Sequence, residues 1–201
     1  MNNDLDRKVV DKKTGQLRPI RIAIVDIEAT DLKADRGHLL CVSIKEVLPN
    51  SLKGKVVTVR IDDKRNKAGV FNDKWVVQEA IKECDKYDLL VGWYSSRYDF
   101  PFINTRAQFH DIKELDKEFR RDLCLSARGK YCLTNNRLAN WGRFLFGKSG
   151  KTFLDFDIWK AADRGDRKAI AYICDHCEAD VIETERIYKR FMPGLGKLRK
   201  R

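Results

Sequence analysis

The sequence predicts an α/β fold: a mixed five-stranded sheet, three antiparallel strands followed by two parallel ones, flanked by helices. Three observations predict it. Apolar, β-branched runs at 20–27, 38–47 and 55–61 are joined by short connections, as in an antiparallel meander. Two further apolar runs, 88–94 and 121–127, alternate with segments of helical period. Beyond residue 133 the periodicity is helical throughout, which places helices on both faces of one sheet.

Taken in order, residues 1–18 are polar, and 1–19 are expected to be a flexible segment ahead of a single domain at 20–192. "RPIRIAIV" starts a strand with both faces apolar, as a central strand requires. "HLLCVSIKEV" and "KVVTVRI" follow, separated by the turn-like "LPNSLKGK". "NDKWVVQEAIKECDKY" (72–87) is an amphipathic helix with Asn72 or Asp73 as its cap and Trp75, Val76, Ala80 and Ile81 on one face. "DLLVGWY" is the fourth strand, and "DFPFINTRAQFH" (99–110) opens a helix with Pro101 in its first turn. "RDLCLSA" is the fifth strand. Helices then span 134–147, with Thr134 as cap and Gly147 as stop, 154–165 and 166–191. Asp155 and Asp157 suit a first helical turn. Pro193 and Gly194 end the last helix, and 193–201 is a basic tail.

The chain has 201 residues, enough for one substantial core, and no Pro/Gly/Ser-rich linker divides it. Its 41 Lys and Arg against 30 Asp and Glu give a net charge of +11, which favours a polyanionic partner, nucleic acid above all. No 18-residue apolar run is present and the charged start is no signal peptide, so a cytoplasmic protein without membrane contact is expected. Reduced thiols are expected for the six cysteines. Cys174 and Cys177 form a C-x-x-C, but Cys124 and Cys132 fit a zinc site's spacing poorly.

The charged residues worth most thought end the first strand. Side chains alternate, so Ile22, Ile24, Asp26 and Glu28 share one face. Two carboxylates at the mouth of a core strand repel each other and lose hydration, so a divalent cation is expected to compensate them. Hard oxygen ligands suit Mg²⁺ or Mn²⁺. The same spacing at Asp116 and Glu118 falls in a hydrophilic stretch and reads as a solvated helix face. Asp99, just past the fourth strand, is either a further ligand or an ordinary helix cap. In the long helix His176 and Asp180 lie one turn apart, bordering the apolar stripe Ile170, Ile173, Cys177, Val181, Thr184 and Tyr188. His110 and Glu114 have the same spacing in a charged stretch and show that such pairs arise without chemistry.

Acid pair on the first strand, acid after the fourth, His–acid pair on the last long helix: in this order the sequence resembles the DnaQ-like, or DEDD, 3′–5′ exonucleases of the ribonuclease H-like superfamily. The motifs are "DIEAT", "GWYSSRYDFPFI" and "HCEADVIET", and the resemblance spans about residues 20–191. The stretch from "DLCLSARGKY" to "GKSGKT" also resembles the exonuclease domains of family-B-like polymerases. Two departures stand out. Tyr94 replaces an Asn found in many relatives, and His176 has the three-residue spacing to Asp180 usual for a Tyr. Tyr172, one turn further back, is the poorer candidate for a base.

The resemblance implies a ribonuclease H-like fold and removal of nucleotides from a 3′ end with two Mg²⁺ or Mn²⁺ ions. It implies that Asp26, Glu28 and Asp180 hold the first ion, that Asp26 bridges to the second with Asp99 helping through water, and that His176 is the base. Thr30 and Leu32 would touch the terminal nucleotide, and Tyr94 or Tyr98 would stack a base, whereas Phe100 and Phe102 read as core. Arg97, Arg106, Lys148, Lys151 and the terminal Lys197, Arg199, Lys200 and Arg201 are candidate phosphate contacts. The expected substrate is single-stranded or 3′-ended nucleic acid, DNA favoured, with a polymerase or replication complex as candidate partner. The alternatives are an endonuclease of the same fold and a non-catalytic nucleic-acid- or polymerase-binding module.

Overall fold

The computed structural model describes residues 4–117, 119–150 and 154–195. Residues 4–19, for which the sequence suggests only a flexible segment, fold back on the domain. Strands β1 (Lys8–Val10) and β2 (Leu17–Pro19) pair antiparallel. Buried Asp4 accepts from Arg121 Nη2 at 2.8 Å and from the Tyr188 hydroxyl at 3.0 Å. Arg18 grips Asp88 with two bonds of 2.6 and 2.8 Å. Sequence reading missed this because each partner lies at least 70 residues away along the chain.

The main sheet contains β3 (Ile22–Ala29), β4 (Leu39–Glu46), β5 (Val56–Arg60), β6 (Leu89–Gly92) and β7 (Phe119–Asp122), in the order β5-β4-β3-β6-β7. The β3–β4 and β4–β5 pairs are antiparallel; β3–β6 and β6–β7 are parallel, as the expected mixed sheet requires. Around it lie α1 (Lys74–Cys84), α2 (Asp99–Phe109), α3 (Leu123–Arg128), α4 (Leu138–Phe146), α5 (Phe156–Asp163) and α6 (Arg167–Phe191). Among the described residues no helix is long and apolar enough to cross a membrane.

The alternation along β3 sorts the core into two layers. Ala23, Val25 and Ile27 pack with Val76, Val77 and Ala80 of α1 and with Phe100, Ile103 and Ala107 of α2. Ile22 and Ile24 pack with Leu123, Trp141, Val181, Ile187 and Tyr188 of α3, α4 and α6. Asp26 and Glu28 therefore continue the face that looks toward α6.

The expected fifth strand at 121–127 is corrected. Only Phe119–Asp122 is strand, because the Asp122 carboxylate caps α3 by accepting the Leu125 N–H at 2.9 Å. Helix α4 starts at Leu138, with Arg137 rather than Thr134 at its cap position, and stops at Gly147, whose φ of 75° suits glycine. Residues 112–117 are not helical, so Asp116 lies on no helix face, and Glu118 is outside the described residues. Cys174 and Cys177 are buried beside Cys41, while Cys132 is exposed, so they share no four-cysteine site.

Candidate active site

Three elements deliver the acids. Asp26 and Glu28 come from the last half of β3, one register step apart, opposite Ser43 and Cys41 of β4. Asp99 is the first residue of α2, and its Oδ1 accepts the N–H of Ile27 at 3.1 Å. That bond docks α2 onto β3 between the two strand acids. From α6, His176 Nε2 lies 3.8 Å from Glu28 Oε1 and 3.7 Å from Asp180 Oδ2. The Cys177 thiol is 3.4 Å from both the backbone oxygen and Oδ2 of Asp26.

The turn between β6 and α2 sets the position of Asp99. A side chain on Gly92 would come 2.5 Å from Ser95, so only glycine lets this turn close. Tyr94 follows with a φ of 65°, a left-handed conformation costly for an aromatic residue. Asp122, at the end of neighbouring β7, accepts the N–H groups of Tyr94 at 3.2 Å and Ser96 at 3.0 Å. With the α3 cap, its carboxylate is committed to three backbone donors, which fits it for positioning rather than for ligand binding.

Burial, then the neighbouring Cys177, Asp99, Asp180 and Glu28, push the Asp26 carboxyl well above the usual range. Burial pushes Asp99 up to about 7, against the opposing pull of backbone hydrogen bonds including that from Ile27 and reinforced by Asp122 and Asp180. Tyr98 is also raised, by burial and then by Glu28 and Asp99. Among the described residues, Asp26 and Asp99 thus stand beside other acids that add to the effect of burial. Glu28, His176 and Asp180 each bring a ligand atom, all within 4.8 Å of one another, and this donor set of hard oxygens and an imidazole fits a divalent cation.

The other expected site residues divide. Thr30 Oγ1 accepts the His38 N–H at 3.0 Å and shapes the loop after β3, whose Leu32 is 76% exposed. The Tyr98 hydroxyl donates to the Asp31 carbonyl at 3.4 Å, and its ring packs on Phe102. Phe100 and Phe102 are core, as expected. Tyr94 is exposed, with the Arg128 guanidinium 5.1 Å from its ring centroid. Arg97 is exposed. Arg106 is a correction: it is buried, with Nε and Nη2 bonded to Asp73 at 2.9 and 2.8 Å, and cannot meet a phosphate. Lys151 and the basic tail from residue 196 lie outside the described residues.

Beside the acids opens a cavity of about 1050 Å³, lined by Asp26 and Asp180 at one end and by Tyr94, Arg128, Arg137, Arg143 and Lys148 along α3, α4 and their flanks. Sequence reasoning missed Asp122, Cys177 and the three arginines. Asp122 carried a legible signal as the cap of α3; the arginines are scattered over 16 residues and meet only in three dimensions.

A family model described as RNase_H superfamily matches residues 23–192. No sequence among curated proteins matches the chain. Among solved structures, the family B DNA polymerase from the hyperthermophilic archaeon Pyrobaculum calidifontis is similar in fold, with a TM-score of 0.65 at 15% identity over 89% of this chain. The chain spans 25% of that polymerase's length.

Proposed function

The chain belongs to the RNase H superfamily, and from that premise we propose that it is a metal-dependent 3′–5′ exonuclease whose catalytic domain is residues 20–192. One observation carries the reading. Asp26, Glu28, Asp99 and Asp180, from three elements far apart in sequence, are neighbours of one another and of His176, and Asp26 and Asp180 line the cavity. A non-catalytic binding module has no need to keep four mutually repelling acids. Similarity in fold to a quarter of a DNA polymerase supports DNA as the strand and a proofreading or repair setting with a polymerase as partner.

Asp26, Glu28 and Asp180 would hold one divalent cation and Asp26 a second. Asp99 Oδ1 is occupied by the Ile27 N–H, which leaves Oδ2 to act through water. Bound Mg²⁺ or Mn²⁺ would supply the charge that offsets the carboxylates, acidifies the attacking water and stabilises the departing 3′-oxygen. His176, 3.8 Å from Glu28 and 3.7 Å from Asp180, would take the proton of that water, as a neutral imidazole can. Thr30 and Leu32 on the loop after β3 would meet the terminal nucleotide.

The test is hydrolysis of 3′- and 5′-labelled DNA and RNA with Mg²⁺ or Mn²⁺ and a chelator control. Release of mononucleotides from the 3′ end is expected; internal fragments would instead assign an endonuclease. Asp26→Ala and Asp180→Ala should abolish hydrolysis while the domain folds. His176→Ala should cost about 10²–10⁴ in rate with metal binding retained. Full activity in Asp26→Ala would contradict the assignment.

A further inference from the structure

We propose that the α3–α4 wall of the cavity is the phosphate track for the single-stranded part of the substrate, carried by Arg128, Arg137, Arg143 and Lys148. The proposal rests on the exonuclease reading and adds the side from which the strand arrives.

Several arginines among the described residues are paired with carboxylates of the fold. Arg18 is tied to Asp88, Arg60 to Asp62, Arg65 to Asp63, Arg106 to Asp73 and Arg121 to Asp4. The four wall residues are exposed, and among the described residues none of them forms an ion pair with a carboxylate. Like charges gathered on one concave wall repel one another, so the arrangement favours a polyanion. The same cavity is lined by Asp26 and Asp180. A strand whose 3′-terminal bond lies at the acids therefore runs its preceding phosphates along the cations.

The same cavity is lined by Tyr94, 39% exposed and with the Arg128 guanidinium 5.1 Å from its ring centroid. An exposed aromatic face beside a basic groove is the pairing single-strand binders use, stacking a base while the groove tracks the backbone. The volume also fits: about 1050 Å³ lies at the top of the roughly 300–1,000 Å³ of small-molecule pockets, room for a chain rather than one nucleotide. Arg36, in the loop after β3, is paired with Asp31 at 3.0 Å, and Arg106 of α2 is buried against Asp73.

The test compares two quadruple variants in an Asp26→Asn background, in which the probe stays intact. One is R128A/R137A/R143A/K148A. The other, K12A/K13A/K64A/K67A, removes the same charge from the β1–β2 turn and the loop after β5. Binding of a fluorescein-labelled 20-residue oligothymidylate is followed by anisotropy over a range of salt, and circular dichroism checks that both variants are folded. The wall variant should bind at least tenfold more weakly, with its salt slope reduced by about 3, since each single-strand phosphate contact contributes roughly 0.7. The distant variant should change less than threefold. Equal weakening in both, or none in the wall variant, would overturn the proposal. A matching oligouridylate tells which sugar the wall prefers. The exonuclease reading is judged separately, by wild-type hydrolysis. A protein that cleaves from the 3′ end yet whose wall variant binds normally loses the wall alone. One that binds through the wall and cleaves nothing loses the enzyme assignment.

Discussion

Two buried aspartates of this molecule, Asp73 and Asp99, live in opposite surroundings. Asp73 is fully buried at the head of α1 and accepts four hydrogen bonds: two from Arg106, one from His110 at 2.6 Å and one from the Leu39 N–H at 2.8 Å. Burial alone would raise its carboxyl, but Arg106, His110 and the Leu39 N–H outweigh it and hold the group below the ordinary range. Asp99 is 3% exposed, meets Asp122 and Asp180 in place of a cation, and rises to about 7. Glu185 sides with Asp73, lying between Lys45 at 3.2 Å and Lys189 at 3.0 Å. The difference separates structural acids from functional ones. Where the fold supplies the counter-charge the acid locks elements together; in the proposed function a divalent cation would supply it for the cluster around Asp99.

The sharpest way to break this comparison is to remove each carboxylate. Asp73→Ala strands Arg106 and leaves the Leu39 N–H without its acceptor, and should destabilise the protein by about 3–5 kcal/mol in a urea titration. Asp99→Asn keeps the shape and deletes one repelling charge. Without divalent cations at pH 8 it should raise the unfolding midpoint while impairing hydrolysis. A loss of stability comparable to that of Asp73→Ala would show that Asp99 is a structural acid after all.

The same contrast predicts two pH dependences of opposite sign. Asp26 and Asp99 have raised pKa values in the folded protein, against about 3.9 in the unfolded chain. Between those values the folded state binds more protons than the unfolded one, so stability falls as pH rises from about 4 through 7. Asp73 is lowered, so its contribution is present above about 4 and is lost as pH falls through its folded value. In chelator the thermal midpoint should therefore decline by several degrees from pH 5 to pH 8. Asp99→Asn should flatten that decline, and Mn²⁺ should restore stability most at pH 8. A midpoint that is constant or rises over this range in wild type would refute the picture of uncompensated acids.

Much of this was legible in the sequence, and the exceptions have physical causes. The mixed sheet follows from apolar runs and short connections, and the resemblance to the DEDD exonucleases implies that Asp26, Glu28, Asp99, His176 and Asp180 meet. The end of the fifth strand and the cap of α4 failed locally, where the Asp122 cap and Arg137 set the boundaries; other failures depended on partners distant in sequence. Arg106 reads as a phosphate contact until Asp73, 33 residues away, is seen to hold it. His110 and Glu114, whose spacing carries no chemistry, indeed make no pair: His110 bonds Asp73, and Glu114 bonds Gln108. The basic wall became visible only when α3 and α4 brought its residues around one cavity. Asp73 likewise sits at the cap position of α1 but makes no side-chain cap bond there, because its oxygens are committed elsewhere.

The smallest expected effect concerns Tyr94 and asks on which side of the comparison it falls. Its φ of 65° is a cost to the fold, about 1–2 kcal/mol for an ordinary L-residue, and Asn tolerates that region better. The N–H of residue 94 bonds Asp122 whatever the side chain, so Tyr94→Asn should keep the turn and gain up to about 1 kcal/mol of stability. It also removes the ring that Arg128 backs, a contact worth about 0.5–1 kcal/mol at an exposed site, and with it the face offered to a base. The two stability terms largely offset each other, so the denaturant midpoint should rise only slightly while single-strand affinity falls, whereas Tyr94→Phe, which keeps both ring and backbone strain, should move neither. A gain in stability with a loss of affinity would put Tyr94 beside Asp99, among residues kept at the site at the fold's expense. A loss of stability would put it beside Asp73, as a residue the fold itself requires.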